Sequence, residues 1–258
     1  MPLAMILAAL GSGAVIGLIL AGLGAGGSIL MTPLLVYAVG VSSAHAAVGT
    51  SAVAVTLNAL VGLAGHARAG TVKWRCAGVF AASGVIGATL GAELGKALDG
   101  KRLLMLFGLL MVVVGIAMLR PRRGEERADV QLTAASAGQL LPRLIPIGLG
   151  TGLLAGFFGI GGGFLIVPGL ITATAMPMRY ASGTSLVIVA ALGATTATSY
   201  ALSGFVDWPL VAVLAVGGAA GAALGIRAAA RLASHRGLVE KGFAALVIAV
   251  GVYVALGR

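Results

Sequence analysis

Two glycine clusters are the stretches of this sequence best suited to bind a ligand. One reads Gly-Leu-Gly-Ala-Gly-Gly-Ser at residues 22–28, the other Gly-Ile-Gly-Gly-Gly at residues 159–163, and an apolar run follows each as far as Pro33 or Pro168. Glycine is unfavourable in a helix by about 1 kcal/mol relative to alanine, so each cluster predicts a break between helices. The first N–H groups and the positive dipole end of the following helix form an anion site. The predicted binding residues in these breaks are Gly24, Gly26, Gly27, Ser28, Gly159, Gly161, Gly162 and Gly163.

A Gly-Thr-Ser sequence follows each break, at residues 49–51 and 183–185. Hydroxyl groups can donate hydrogen bonds to an anion without bringing a charge to the bilayer centre, where a charge is costly. The structural alternative is a hydrogen bond from each hydroxyl to the helix carbonyl four residues earlier. The hydroxyl residues predicted to bind the anion are Thr50, Ser51, Thr184 and Ser185.

Three further polar residues are candidates for the site or its entrance. Asn58 lies two turns beyond the first Gly-Thr-Ser sequence, and because Leu192 stands at the equivalent position, any role of Asn58 is one-sided. His45 and Arg179 are equivalent residues just before the two Gly-Thr-Ser sequences. Arg179 could attract an anion at the mouth of the site, or it could be an anchor at the membrane interface.

An internal repeat places a glycine cluster and a Gly-Thr-Ser sequence in each half of the chain. At an offset of 134 to 136 residues, HAAVGTSAVAV (45–55) matches RYASGTSLVIV (179–189), and GTVKW (70–74) matches GFVDW (204–208). Paired halves that each carry a broken helix are typical of transporters. We therefore divide the chain into a first transmembrane repeat, a cytoplasmic linker and a second transmembrane repeat, at residues 1–120, 121–142 and 143–258.

The composition is that of an integral membrane protein. The 258 residues are 59% hydrophobic and 9% charged, against about 45–50% and 25% in soluble domains. The net charge of +10 does not indicate nucleic acid, because the basic residues lie in short loops between apolar spans. A single cysteine excludes an internal disulfide, and no catalytic triad, metal-ligand cluster or phosphate-binding lysine is present, so we expect no enzyme, cofactor or metal.

Each half contains five apolar segments, which predicts an all-helical, polytopic protein. The short segments 28–40 and 163–175 could cross the membrane or dip into it and return. If all five cross, the two halves are inverted, and thirteen of the seventeen Lys and Arg residues lie on one side. The positive-inside rule favours this arrangement and predicts that both termini lie outside the cytoplasm. The other predicted segments are 3–23, 44–65, 75–95, 103–119, 144–158, 181–203, 209–230 and 239–256.

Two glycine stripes predict close packing of helices. Gly84, Gly87 and Gly91 recur in the second half as Gly218, Gly221 and Gly225. Glycines at such spacing let two membrane helices approach closely. We predict a packing role for these six glycines, and a surface ion pair between Glu93 and Lys96.

The paired glycine-to-proline stretches, the Gly-Thr-Ser segments and the chain length resemble the TauE/SafE-type sulfite exporter family over essentially the whole chain. That resemblance implies export or import of sulfite, thiosulfate, organosulfonates or another small organic anion across the cell inner membrane. The predicted mechanism is alternating access, with the anion held at the two breaks near the midplane. An anion channel using the same backbone sites and a scaffold without transport are the alternatives. Proton coupling, sodium coupling and the substrate's own gradient are all compatible with the sequence, as is any oligomeric state.

Overall fold

The computed structural model describes residues 2–23, 25–119, 132–159, 163–231 and 236–256, and every regular element in these ranges is a helix. Among them, seven helices are long and apolar enough to cross a membrane. The α-helices are α1 (Leu3–Leu23), α2 (Met31–Pro33), α3 (Ala44–Arg68), α4 (Trp74–Ala97), α5 (Gly100–Leu119), α6 (Ala134–Phe158), α7 (Gly163–Thr174), α8 (Met178–Leu202), α9 (Trp208–Arg231) and α10 (Arg236–Ala255). The all-helical polytopic prediction is confirmed.

The first broken segment, residues 25–38, is not a regular α-helix. A 3₁₀ segment (Ala25–Leu30) leads into the single turn of α2, and a π-helical segment (Leu34–Ala38) follows. Pro33 stands at the junction, where its missing N–H and its ring disturb α-helical hydrogen bonding. The corresponding α7 of the second half remains α-helical through Pro168. The two broken segments therefore differ in local structure although their sequences correspond.

Helix α6 begins within the range that we assigned to the linker. Thr133 caps α6 by accepting a hydrogen bond from the backbone N–H of Ser136, whose side chain in turn accepts one from the Thr133 amide. Such a reciprocal capping box fixes a helix start, so residues 134–142 are helical. Residues 120–131 of the predicted linker lie outside the described residues.

In each of two glycine-lined contacts, a helix of the first half packs against a helix of the second half. Helix α1 packs along α9, and α6 packs along α4. A side-chain carbon added at Gly221 would overlap the Ala14 carbonyl, and one at Gly87 would overlap the Leu149 carbonyl. The predicted packing role of the glycine stripes is thus confirmed, and we call these two contacts the glycine seams.

The contacts also fix the helix directions. Gly13 and Gly17 of α1 lie against Leu214 and Gly218 of α9, so these two helices run parallel. By the same reasoning α6 runs parallel to α4. The start of α9 lies beside the start of α3, whereas α4 starts where α3 ends. Helices α1 and α6 therefore run in opposite directions, which is compatible with an inverted repeat.

Candidate functional site

The Ser51 side chain lies between the first broken segment and the second break. Its hydroxyl is 3.0 Å from the Thr32 hydroxyl in the first broken segment and 3.3 Å from the Gly159 carbonyl at the second break. It also donates to the Val48 carbonyl at 2.8 Å. Both Thr32 and Ser51 are buried. One hydroxyl of α3 thus contacts both the first broken segment and the second glycine break, at residues that lie more than a hundred positions apart in the sequence.

Gly159 ends α6 in a conformation that favours glycine. Its φ is +65°, and its N–H bonds back to carbonyls of the last helical turn. A side-chain carbon at this position would overlap Val48 of α3. Gly159 is therefore required both by its backbone angle and by the close approach of α3.

The other predicted glycines are only partly described. Gly27 is buried against Ile19 and Leu20, where the chain folds back along α1. Gly163 is the buried first residue of α7. Gly26 belongs to the 3₁₀ segment, which packs against α7, so the segments that follow the two breaks are in contact. The remaining predicted positions, Gly24, Gly161 and Gly162, lie outside the described residues.

Thr50 and Thr184 hold equivalent hydrogen bonds between the halves. The Thr50 hydroxyl accepts from the backbone N–H of Asp207, just before α9, at 3.1 Å. The Thr184 hydroxyl accepts from the backbone N–H of Lys73, just before α4, at 2.9 Å. Both threonine side chains are buried. In this conformation their oxygens therefore secure helix starts in the opposite half.

Both serines bond to a carbonyl of their own helix, and Ser51 has its two further contacts outside α3 as well. Ser185 donates to the Ser182 carbonyl at 2.8 Å, as Ser51 does to Val48, so each bond spans three residues rather than four. Ser28 is fully buried in the 3₁₀ segment. The alternative interpretation of the Gly-Thr-Ser sequences, bonding within the helix, thus describes Ser185 and part of the bonding of Ser51, but not the threonines.

The predicted charged residues lie away from these hydroxyls, at the ends of the bundle. His45 is half-buried in the first turn of α3, with its ring 5.4 Å from that of Phe205. Arg179 is exposed at the start of α8, and its guanidinium lies over the Tyr180 ring. Since α3 and α8 are antiparallel, His45 and Arg179 lie at opposite ends. Glu93 and Lys96 form the predicted pair, with 2.7 Å between carboxylate and ammonium.

The buried polar side chains of the described residues are uncharged. Twelve are serines or threonines, another is Asn58 in α3, and Tyr200 in α8 adds a buried phenolic hydroxyl. Hydroxyl and amide groups can replace the hydration shell of an ion without fixing a charge in the bilayer. This interior therefore suits a small polar solute, and among the side chains that the structure describes no buried carboxylate would repel an anion.

Sequence reasoning missed three partners in this arrangement. Thr32 was hidden in the apolar run before Pro33, and nothing in its spacing indicates Ser51 as its neighbour. Lys73 and Asp207 did carry a signal, because each precedes the tryptophan of a repeated five-residue sequence. That repetition indicates equivalent positions, although it does not show that their backbone amides meet Thr184 and Thr50.

Comparison with known proteins identifies the family of this chain. The sequence profile of the family described as Sulfite exporter TauE/SafE matches residues 9–254. The chain belongs to the TauE/SafE sulfite exporter family. It is a multi-pass membrane transporter of that family and not an enzyme, and its seven long apolar helices agree with this assignment.

Similar proteins in other organisms match between about four fifths and nearly all of the chain. A probable membrane transporter protein of Xylella fastidiosa is 46% identical over 98% of this chain and 96% of its own length. The probable membrane transporter protein YdhB of Bacillus subtilis is 28% identical, with 82% and 85% covered. A probable membrane transporter protein of Methanocaldococcus jannaschii is 25% identical, with 79% of each chain covered. No solved structure matches the chain significantly.

Proposed function

We propose that this family member is a secondary transporter of small sulfur-containing anions, such as sulfite, thiosulfate or sulfonates. The observation that carries the proposal is the position of Ser51, whose hydroxyl reaches Thr32 in the first broken segment and Gly159 at the second break. An anion bound there meets hydroxyls and the first N–H groups of the helices that follow the breaks. The organosulfur class comes from the family, whereas the geometry supports a small oxoanion.

Neutral donors suit such a substrate. Burying an unpaired charge in the membrane interior is expensive, so an empty site lined by lysine or arginine would be unstable between transport cycles. Serine and threonine hydroxyls leave no charge behind when the anion departs. The Ser51 hydroxyl now donates to Val48, and a rotation about its C–O bond redirects the proton toward a ligand.

Burial of these hydroxyls supports a carrier rather than a channel. Thr50, Ser51, Thr184 and Ser185 are all fully shielded from solvent. A channel requires a continuous aqueous path, whereas a carrier passes through closed states. Movement of helices must therefore open the site to each side in turn.

The glycine seams indicate which helices move together. Backbone contacts without intervening side chains join α1 to α9 and α4 to α6. In this proposal each pair moves as a unit. Each moving body therefore contains helices from both halves of the sequence. Helix α3 packs against α9 and α8 packs against α4, so we assign α3 to the first body and α8 to the second. In this proposal the two bodies meet at the antiparallel contact between α3 and α8.

Charge distribution gives the proposed orientation. The end of the bundle where α3 ends and α4 and α8 begin carries Arg68, Lys73, Arg75 and Arg179, and it faces the cytoplasm by the positive-inside rule. The opposite end, with Lys96 and Lys101, faces outward. Both termini accordingly lie outside the cytoplasm.

A thermal-shift screen of the purified protein tests this function. Sulfite, thiosulfate, sulfoacetate and taurine are compared with acetate, because a ligand of the folded state raises its apparent stability. Counterflow of the best ligand in proteoliposomes then distinguishes a carrier from a channel, and large single-channel currents would contradict the carrier.

A pair of variants tests the position of the site. Ser51→Ala should abolish the ligand-induced stabilisation, because Ser51 joins the two breaks. Ser83→Ala is the matched control, since Ser83 in α4 is also buried and donates to a carbonyl three residues earlier. Equal ligand responses of the two variants would place the anion elsewhere.

A further inference from the structure

We infer that Asn58 supplies a hydrogen-bond donor between the levels of the two Gly-Thr-Ser sequences: its side-chain amide binds an oxygen of a small oxoanion during passage. This inference rests on the proposed function and deepens it, because it names one residue of the path that recognises the substrate. Four observations support it, on the burial, bonding, packing and placement of this side chain.

The Asn58 side chain is buried and incompletely bonded. It is 1% exposed, and its amide nitrogen, Nδ2, has no hydrogen-bond partner among the described residues, as is also true of His45 Nδ1, Ser182 Oγ and the Tyr200 hydroxyl. A buried donor without an acceptor is unfavourable and rare in folded proteins. A ligand that accepts a hydrogen bond at this point would satisfy it.

Packing alone does not require an asparagine here. Asn58 lies against Gly218 of α9, and its repeat equivalent, Leu192, lies against Gly84 of α4. The two glycines are themselves equivalent, so the same steric place is filled by an amide in one half and by an apolar side chain in the other. Close packing at this place therefore does not require the polar amide of the first half.

The place of Asn58 along α3 puts it between the two Gly-Thr-Ser levels. It follows Ser51 by seven residues, which is two turns, so both side chains lie on one face of α3. Across the antiparallel contact, Gly193 lies beside Thr56, and Leu186 lies beside Gly62. Along the axis of α3, Asn58 therefore lies between the depth of Ser51 and the depth of Ser185. An anion that moves from the Thr50 and Ser51 hydroxyls to those of Thr184 and Ser185 must pass Asn58.

An amide donor at this depth gives the path a preference for oxoanions. The N–H groups bind oxygen atoms of an anion, and they repel cations without carrying a full charge of their own. Because Leu192 offers no such group, the donor acts from one side only. The path therefore adds one asymmetric contact to the donors that the two halves supply in equivalent places.

Transport in proteoliposomes by Asn58 variants tests this inference. Asn58→Leu copies the arrangement of Leu192, and Asn58→Ala shortens the side chain should the larger residue not fold. Either variant should retain its melting temperature and raise the KM for the transported anion by about tenfold or more, as expected for a lost hydrogen bond to a charged group. Leu192→Ala is the matched control, with KM close to that of the wild type.

Two outcomes separate this inference from the proposed function. If the wild type transports sulfite and the folded Asn58 variants show an unchanged KM, the inference is wrong and the function stands. If no sulfur anion is bound but acetate stabilises the wild type and not Asn58→Ala, the inference stands and the sulfur assignment is wrong. If none of the anions stabilises the wild type, both are overturned.

Discussion

The hydroxyl of Thr50 in α3 accepts a hydrogen bond from the backbone amide of Asp207 at the start of α9, over 3.1 Å. Thr184 and Lys73 repeat the same bond at 2.9 Å in the equivalent place. A threonine in each half therefore holds a helix start in the other half. The Gly-Thr-Ser sequences join the two halves in addition to any part they take in binding.

Removal of these acceptors should weaken the fold. Thr50→Val keeps the shape of the side chain but leaves the Asp207 amide without its acceptor, which costs about 1–3 kcal/mol when the group is buried. Thr184→Val should behave alike. Denaturation of the purified protein in detergent measures the change. Thr50→Ser retains an oxygen and should stay near the wild type, whereas full stability of Thr50→Val would contradict the role.

Gly159 should tolerate no side chain. In Gly159→Ala the left-handed backbone costs about 1–2 kcal/mol, and overlap with Val48 adds about 1–3 kcal/mol. We expect a large loss of folded protein, measured by size-exclusion chromatography and melting temperature. Val48→Ala in the same chain should restore part of it, because the overlap is relieved and the backbone strain is not.

A matched control for Gly159 is available in α4. Gly78 is exposed, and a side-chain carbon there would meet nothing within 4 Å. Gly78→Ala should be neutral or slightly stabilising because alanine favours a helix. Equal behaviour of the two alanine variants would show that the break at Gly159 has no special geometry.

The glycine seams should be sensitive to a single methyl group. Gly221→Ala places a carbon against the Ala14 carbonyl, and Gly87→Ala places one against the Leu149 carbonyl. Main-chain atoms in a helix cannot rotate away, so each variant should lose about 1–3 kcal/mol of stability. Gly150→Ala, on an open face of α6, is the control. Wild-type melting temperatures for both seam variants would exclude tight helix contact.

Cysteine labelling tests the proposed orientation. Ala69 and Ser203 are equivalent exposed residues in the loops after α3 and α8. In a chain with Cys76→Ser, a membrane-impermeant maleimide applied to intact cells should label Ser203→Cys and not Ala69→Cys. Labelling of Ala69→Cys alone would reverse the orientation, and labelling of both would contradict opposite sides for the two loops.

Helix positions were largely predictable because apolar runs and polar loops alternate clearly along the chain. The predicted segment 3–23 matches α1, and 163–175 differs from α7 by a single residue. The start of α6 was less predictable, because the capping box at Thr133 lies in a polar stretch that resembles a linker. The irregular turns around Pro33 depend on local hydrogen bonding that composition does not specify.

Tertiary partners were the part that the sequence did not reveal. The glycine stripes predicted that helices approach closely, but not that α1 pairs with α9 across the halves. Likewise, Thr50 and Ser51 were both predicted to donate to a ligand, and their different bonds depend on which neighbours the fold delivers. Periodicity reports which face of a helix is apolar or small, whereas the identity of its partner is decided by the whole bundle.

The exchanged helix pairs have a consequence for biosynthesis. When α1 leaves the ribosome, the glycine face that will meet α9 has no counterpart, since about 200 residues separate Gly17 from Gly218. Helix α1 must therefore remain in the lipid, or bound to an insertion factor, without its contact to α9 until most of the chain has been translated. Assembly of this bundle is therefore completed late, and a message truncated before α9 yields a membrane-inserted fragment without its closing helix.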